Sequence, residues 1–374
     1  MLTVLVFIHE MGHFMVARWN GIAVQTFSIG FGKELWGFTD RKGTRWRLSA
    51  IPLGGYVRFL GDMNAASVPD YEAIEGVPPE QRKSLFVNKN VWQRISVVAA
   101  GPVVNIVFAF LVIYGFLVGF GRYDIPAIVG ATVAPPAVVE QGAEPPVTVA
   151  YDAGILAGDR VVSIDGFEVR GFNDISRLIQ TAPDRMVTIV VERGGELLTF
   201  VVRTGSAERE DRFGNTIRVG VLGIMSQEDA EYELFRPNPI DAIGITFEEM
   251  RFIIDRTVGF IANFRFTPAD VQQLSGPVEI ARSAGQIATL GVPALVIFAG
   301  FVSLSLGIFN LLPVPMLDGG HILYYLIEAI RRKPLSQRVQ EFGFRIGVAV
   351  IFTLLLTIMV FNTIPTFLKY LGVV

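Results

Sequence analysis

Length, composition and charge indicate a membrane protein with a soluble portion. The chain has 374 residues, of which 51% are hydrophobic and 18% are charged, and this is too apolar for an ordinary soluble protein. Its net charge of -3 gives no reason to expect a nucleic-acid partner. The absence of cysteine excludes disulfides, thiolate metal sites and cysteine nucleophiles.

Residues 1–21 form a short apolar segment that we predict to be the first transmembrane helix. Its stretch FIHEMGHFMVAR places His9 and His13 four residues apart, so on a helix both imidazoles lie on one face and can bind one metal ion. Glu10 lies beside them, where it can take a proton from water, and the whole is the H-E-x-x-H pattern of metalloproteases. A merely buried histidine pair is the weaker interpretation, because ionisable residues in a membrane segment are costly and usually functional.

Within residues 22–94, the part 22–62 alternates apolar and polar side chains and contains turn signals at DRKG and PLGG, and the polar part 63–89 is predicted to be a surface loop. The alternation predicts a β-hairpin region, and its apolar face suggests that the region touches the membrane. The segment is rich in lysine and arginine, which favours the cytoplasmic side of the membrane.

Three further apolar runs are long enough to cross a bilayer, which takes about 20 residues. We predict transmembrane helices at residues 95–120, 287–330 and 346–368. Together with the first segment they make about four spans. The predicted fold class is therefore a multi-pass α-helical membrane protein with a membrane-associated β-hairpin region and an inserted β-rich domain.

The charges of the connections predict which side of the membrane each one occupies. The basic connection 331–345 is expected in the cytoplasm, and the more acidic segment 121–286 is expected outside. Within that segment, residues 127–204 have the strand and turn pattern of a small β-rich domain. Residues 205–286 are expected to be a linker and amphipathic helices on the membrane surface.

A catalytic zinc ion needs a third protein ligand, and the stretch NLLPVPMLDGGH offers two candidates. They are Asp318 and His321, which follow an apolar run that Pro313 and Pro315 interrupt. Ligand chemistry alone does not rank the two. Asp318 has an alternative role as the cap of the following helix.

Six motifs appear in one order along nearly the whole chain. They are HEMGH, FSIGFGKELW, IPLGGYVRFLGD, AAGPVVN, LSGPVEIA and NLLPVPMLDGGH. In this set the chain resembles the bacterial site-2 proteases, the intramembrane zinc metalloproteases typified by the regulator of sigma-E protease. The stretch GDRVVSIDG is similar to the loop and strand of a PDZ domain.

The resemblance implies a role for each of the matching residues. It implies that Zn²⁺ is held by His9, His13 and Asp318, without His321, and that Glu10 is the catalytic base. It also implies that Asn310 and Asn105 help to hold the substrate or to stabilise the oxyanion. A third substrate contact is expected at the strand edge of Gly54, Gly55, Tyr56 and Val57, which would bind an unwound substrate helix by β-addition. An ordinary structural hairpin is the alternative for that edge.

The activity implied by the resemblance is the second cleavage of regulated intramembrane proteolysis in the bacterial inner membrane, with the active site towards the cytoplasm. The substrates would be single-span proteins such as an anti-sigma factor that a first protease has trimmed, and also remnant signal peptides. The PDZ-like domain would lie in the periplasm and would recognise substrates, filter them by size or act as a spacer. The chain departs from the family's pattern in two ways, since only one PDZ-like domain can be placed and only eight residues precede His9.

Two other functions compete with this interpretation. One is a membrane-anchored protease that cleaves soluble proteins, and the other is a membrane scaffold with a structural metal ion. Glu10 argues against the scaffold, because a structural metal site needs no general base.

Overall fold

The computed structural model describes residues 1–62, 74, 76–134, 147–210, 216–227, 229–264, 276–360 and 364. Contacts divide the chain into two compact units. The first unit comprises Met1–Ile113 and Ser275–Thr363, and the second comprises Tyr114–Leu274 and Ile364–Val374.

Helices make up most of the first unit. In chain order the helices among the described residues are α1 (Leu2–Trp19), α2 (Val91–Gly119), α3 (Val149–Asp152), α4 (Phe172–Gln180), α5 (Pro239–Asn263), α6 (Pro277–Ala288), α7 (Val292–Asn310), α8 (Asp318–Arg331) and α9 (Gln337–Ile358). Two short 3₁₀ turns, Arg82–Ser84 and Phe86–Asn88, precede α2.

Three helices in the described part of the chain are long and apolar enough to cross a membrane. They are α2, α7 and the stretch Arg338–Ile358 of α9. Helix α1 has 18 residues but is not among the three, since His9, Glu10, His13 and Arg18 lower its mean hydropathy. The count of four spans therefore stays a prediction, and the end of the predicted span 346–368 lies largely outside the described residues.

The predicted span at 287–330 contains two separate helices instead of one. Helix α7 ends at Asn310, and α8 begins only at Asp318. The two prolines between them cannot continue a helix. The seven-residue connection between α7 and α8 is what lets Asp318 turn back towards the rest of the first unit.

The strands of the chain form several small sheets. They are β1 (Val24–Thr39), β2 (Arg45–Phe59), β3 (Arg122–Asp124), β4 (Val129–Thr132), β5 (Arg160–Ile164), β6 (Phe167–Glu168), β7 (Met186–Arg193), β8 (Glu196–Arg203), β9 (Gly205–Glu210), β10 (Thr216–Val221), β11 (Ile224–Ser226) and β12 (Glu233–Phe235).

Strands β1 and β2 form an antiparallel hairpin in the first unit. Strand β2 bends back, so that both of its ends pair with the same part of β1. Phe27 of β1 pairs with Trp46 at the beginning of β2 and with Val57 near the end of β2. Phe27 is buried against the aromatic rings of Phe7 and Phe14 on α1. This packing places the end of β2 beside the helix that carries the histidines.

The second unit contains the β-rich region. Its largest sheet has the order β6-β5-β7-β8, and its core is formed by buried aliphatic side chains such as Val161, Ile164 and Ile189. Strands beyond the predicted boundary at residue 204 also belong here, because β11 pairs with β4 and β12 pairs with β3. Much of what we predict as a linker therefore adds strands to this region.

Helix α5 matches the amphipathic helix expected after the β-rich region. The Asn238 side chain caps its first turn by accepting hydrogen bonds from the backbone of Ile240 and Asp241. One face is buried within the second unit, where Ala242 packs near Leu117. Ile240 and Phe247 are exposed, and the location of this helix on a membrane surface stays a prediction.

Candidate metal centre

Three potential metal ligands converge inside the first unit. The Nε2 atom of His9 lies 3.2 Å from Nε2 of His13 and 3.1 Å from Oδ2 of Asp318, and Nε2 of His13 lies 3.5 Å from Oδ1 of Asp318. One ligand atom from each of the three residues falls within 4.8 Å of the others. The two histidines meet in this way because residues i and i+4 of a helix lie one above the other.

Asp318 reaches the histidines from the first turn of α8. The residue at the N-cap is Leu317, and no side-chain capping hydrogen bond is present there among the described residues. Asp318 is therefore already helical, and its carboxylate turns to the histidines rather than to the helix end. Gly320 is required in this turn, because a Cβ built there would lie 2.9 Å from Cα of Pro315 and 2.8 Å from the carbonyl carbon of Val314.

Helix α2 holds the histidines from the other side. The backbone carbonyl of Val97 accepts a hydrogen bond of 2.9 Å from Nδ1 of His13. Gly101 faces both rings, since a Cβ built there would lie 2.6 Å from Cε1 of His13 and 2.8 Å from Cε1 of His9. The roles of Val97 and Gly101 are absent from the sequence predictions. The motif AAGPVVN, which contains Gly101, is the sequence signal from which the role of this glycine could have been predicted.

Zinc fits this set of donor atoms. Two imidazole nitrogens and one carboxylate oxygen are the ligand types that catalytic zinc sites use, with a further position open for water. Oδ2 of Asp318 is buried and makes no hydrogen bond within the described residues. A cation bound between this carboxylate and the two histidine nitrogens would stabilise the buried charge.

A cavity of about 290 Å³ opens on the three ligands. Besides His9, His13 and Asp318, the predicted residues that line it are Glu10, Gly54, Gly55, Tyr56, Val57, Asn310 and His321. His321 thus lies near the centre but outside the ligand group that the described residues form. Met316 also lines the cavity with a positive φ of 81°, a strained backbone that sequence reasoning did not single out.

Asn105 is the predicted site residue that does not line this cavity. It is fully buried on α2, and its amide nitrogen lies 3.2 Å from Nδ1 of His9. Its role in substrate binding stays a prediction.

The strand edge predicted to bind substrate lies against α1. Gly55 pairs with Ile29 of β1, and a Cβ built on Gly55 would lie 2.7 Å from the carbonyl oxygen of Ser28 and 3.4 Å from Cγ of Glu10. A larger residue at position 55 would therefore separate the strand from the helix. Among the described strands, only β1 pairs with this end of β2, so its other edge is not paired with a strand.

Comparisons with known proteins agree with this geometry. The model of peptidase family M50 matches residues 1–354. A protein named as a candidate zinc metalloprotease in Agrobacterium fabrum is 42% identical over 363 residues, which cover 97% of this chain and 92% of that protein. A similarly named protein of Mesorhizobium japonicum is 42% identical over 352 residues, covering 94% and 93% of the two chains.

A further relative is the metalloprotease MmpA of Caulobacter vibrioides, which is 34% identical over 373 residues and covers 94% of this chain and 90% of that protein. The match with the family model, the three apolar helices and the ligand geometry lead to one conclusion. The chain belongs to peptidase family M50, the site-2 protease family, and it is a zinc-dependent metalloprotease of the membrane.

Proposed function

We propose that the protein hydrolyses peptide bonds of single-span membrane proteins within the membrane, as the second cleavage of regulated intramembrane proteolysis. The observation that carries this proposal is the position of the ligand group. It is formed by side chains of α1 and α8 packed against α2, a helix long and apolar enough to cross the membrane. A substrate that reaches this site is itself a membrane segment.

Each site residue has a separate role in the proposed hydrolysis. His9, His13 and Asp318 would hold the zinc ion, which supplies Lewis acidity to the attacking water and to the scissile carbonyl. Glu10, which lines the same cavity, takes the proton of the attacking water and passes it to the leaving amine. Asn310 at the end of α7 donates a hydrogen bond to the carbonyl oxygen as negative charge develops there.

The end of β2 would hold the substrate. A transmembrane helix hides its peptide bonds in internal hydrogen bonds, so a segment must unwind before it can be cleaved. The free edge at Gly54, Gly55, Tyr56 and Val57 lines the cavity and supports binding of such an extended segment by β-addition.

We also propose where the protein lies and what it cleaves. The basic connections support a location of the β-hairpin region and the active site towards the cytoplasm of a bacterial inner membrane, and of the PDZ-like domain in the periplasm. An anti-sigma factor already trimmed by a site-1 protease has the chemistry of such a substrate, and so does a remnant signal peptide. The PDZ-like domain would act by recognising the trimmed end or by excluding large outer domains.

Glu10→Gln tests the proposed function. The variant keeps the shape of the side chain but not its basicity, so we expect retained zinc and a loss of at least about 100-fold in the cleavage rate of a membrane-embedded, trimmed substrate. A water-soluble peptide of the same sequence serves as the comparison. Cleavage of the soluble peptide alone would contradict the proposal and favour a membrane-anchored protease that acts on soluble proteins.

Separate replacement of Asp318 and His321 tests the ligand assignment. Asp318→Ala should release the zinc ion, because only two ligand atoms remain, whereas His321→Ala should keep it. Zinc content of the purified variants is the measurement. The opposite pattern would show that the assignment is wrong.

A further inference from the structure

Asn105 is a buried polar residue for which the cleavage chemistry described above has no use. Its side chain is 0% exposed, and its Nδ2 atom lies 3.2 Å from Nδ1 of His9. Its Oδ1 atom is buried and has no hydrogen-bond partner within the described residues. A buried amide oxygen without a partner costs free energy, so its position requires an explanation.

The chemistry of His9 provides that explanation. Its Nε2 atom is the one that faces His13 and Asp318, so a metal ion would be bound there. A neutral imidazole binds a metal through the nitrogen that carries no proton, and its proton must then be on Nδ1. The Nδ1–H group needs a hydrogen-bond acceptor, and Asn105 is the group that lies beside it.

His13 shows the same arrangement with a backbone partner. Its Nδ1 lies 2.9 Å from the carbonyl oxygen of Val97, which can only accept, so the proton is held on Nδ1 and Nε2 is left free. Helix α2 thus faces the outer nitrogen of each histidine, at Val97 with a carbonyl and at Asn105 with an amide.

We propose that Asn105 is a positioning residue that accepts a hydrogen bond from Nδ1–H of His9 through Oδ1 and so keeps Nε2 free for zinc. The two ends of the amide are nearly equal in shape, so a half-turn of the group exchanges them without moving its neighbours. This arrangement gives Oδ1 its missing partner and orients the His9 ring. The inference rests on the proposed zinc ligands.

Helix α7 holds Asn105 in place. The hydroxyl of Ser303 donates a hydrogen bond of 3.0 Å to the backbone carbonyl of Asn105. Gly307 allows close contact between the helices, since a Cβ built there would lie 3.0 Å from the carbonyl oxygen of Pro102 and 3.5 Å from Cβ of Asn105. A residue held in this way can orient a ligand at little entropic cost, as outer-shell groups of metal sites do.

Three variants of the full chain in detergent test the proposal by the zinc dissociation constant, measured in competition with a chelator. Asn105→Leu keeps the approximate shape without an acceptor, and we expect zinc binding to weaken by about 10- to 100-fold. Asn105→Asp keeps an acceptor and should bind zinc at least as tightly as the wild type. Gly115→Ala adds a methyl group on the same helix where nothing lies within 4 Å of it, and it should leave the dissociation constant unchanged.

Nitrogen NMR of histidine-labelled protein provides a second measurement, because the chain has only 3 histidines. We expect the proton of His9 on Nδ1 in the zinc-bound wild type. The inference about Asn105 would be overturned if Asn105→Leu bound zinc as tightly as the wild type, or if the proton of His9 were on Nε2. Neither result would overturn the proposed function. A wild-type protein that binds no zinc would instead overturn the proposed function. If Asn105→Leu does not fold, the wild-type spectrum and Asn105→Asp still decide.

Discussion

Gly101 shows how strongly one residue can determine the metal centre. It lies on α2 directly opposite both histidine rings, where a Cβ would approach Cε1 of His13 to 2.6 Å. Gly12 on α1 makes the reciprocal approach, because a Cβ built there would lie 2.5 Å from the carbonyl oxygen of Ala100. The two glycines let α1 and α2 come close enough for the hydrogen bond between His13 and Val97.

Gly101→Ala is therefore expected to disturb the metal centre without any change of a ligand. The added methyl group pushes the imidazoles away from Asp318, and we predict zinc affinity weakened by at least about tenfold. Gly115→Ala is the matched control on the same helix, since a Cβ built there has nothing within 4 Å. Chelator competition measures both variants, and equal affinities would contradict the prediction.

At the scale of elements, the turn before β5 is held by one buried carboxylate. Asp159 is 1% exposed and accepts two hydrogen bonds from the Arg193 guanidinium at the end of β7, of 2.6 and 2.7 Å. It also accepts a hydrogen bond from the backbone of Leu156. The hydrogen bonds from Arg193 lower the pKa of Asp159, although burial acts in the opposite direction.

This lowered pKa predicts how the stability of the β-rich region depends on pH. A carboxyl group whose pKa is lower in the folded state than in the unfolded state stabilises the fold above its unfolded pKa, about 3.9 for aspartate. That contribution is lost as the pH falls through the folded pKa. We expect the amide hydrogens of β5 and β7 to exchange faster in the Asp159→Asn variant than in the wild type at pH 7.

The difference between Asp159→Asn and the wild type should become smaller as the pH falls below about 4. Comparing both proteins at the same pH cancels the intrinsic pH dependence of exchange. A difference that is equal at pH 7 and pH 3 would show that the ion pair does not contribute in this way.

At the scale of the whole molecule, the membrane topology determines the side of the membrane on which each part of the chain lies. Helix α2 begins in the first unit and ends in the second, and it is among the three helices able to cross a membrane. Exposed aromatic residues such as Trp36 and Phe38 on the β1–β2 hairpin have the character of side chains at a membrane surface. The connections that we expect in the cytoplasm are rich in lysine and arginine.

Labelling of single cysteines tests this topology, and the chain suits the method because it has 0 native cysteines. We predict that an impermeant thiol reagent labels Glu196→Cys when it is added outside the inner membrane. Lys42→Cys and Lys333→Cys should react only after the membrane is opened. Labelling of all three from one side would contradict the proposed arrangement.

The sequence by itself determined the chemistry of this protein. His9, Glu10 and His13 are related by helical spacing, which is a local property, so the pattern identifies a metal site and a base before any fold is known. The same holds for the long apolar runs, because the length needed to cross a bilayer can be counted along the chain.

The resemblance to the family implied Asp318 as the third ligand, and the tertiary structure shows how the fold brings it to the histidines. Residue chemistry left Asp318 and His321 unranked, since the choice depends on how the connection between α7 and α8 turns. The partner of His9 Nδ1, the close approach at Gly101 and the free edge of β2 are likewise contacts between elements far apart in sequence. Such contacts follow from packing, which no local pattern encodes.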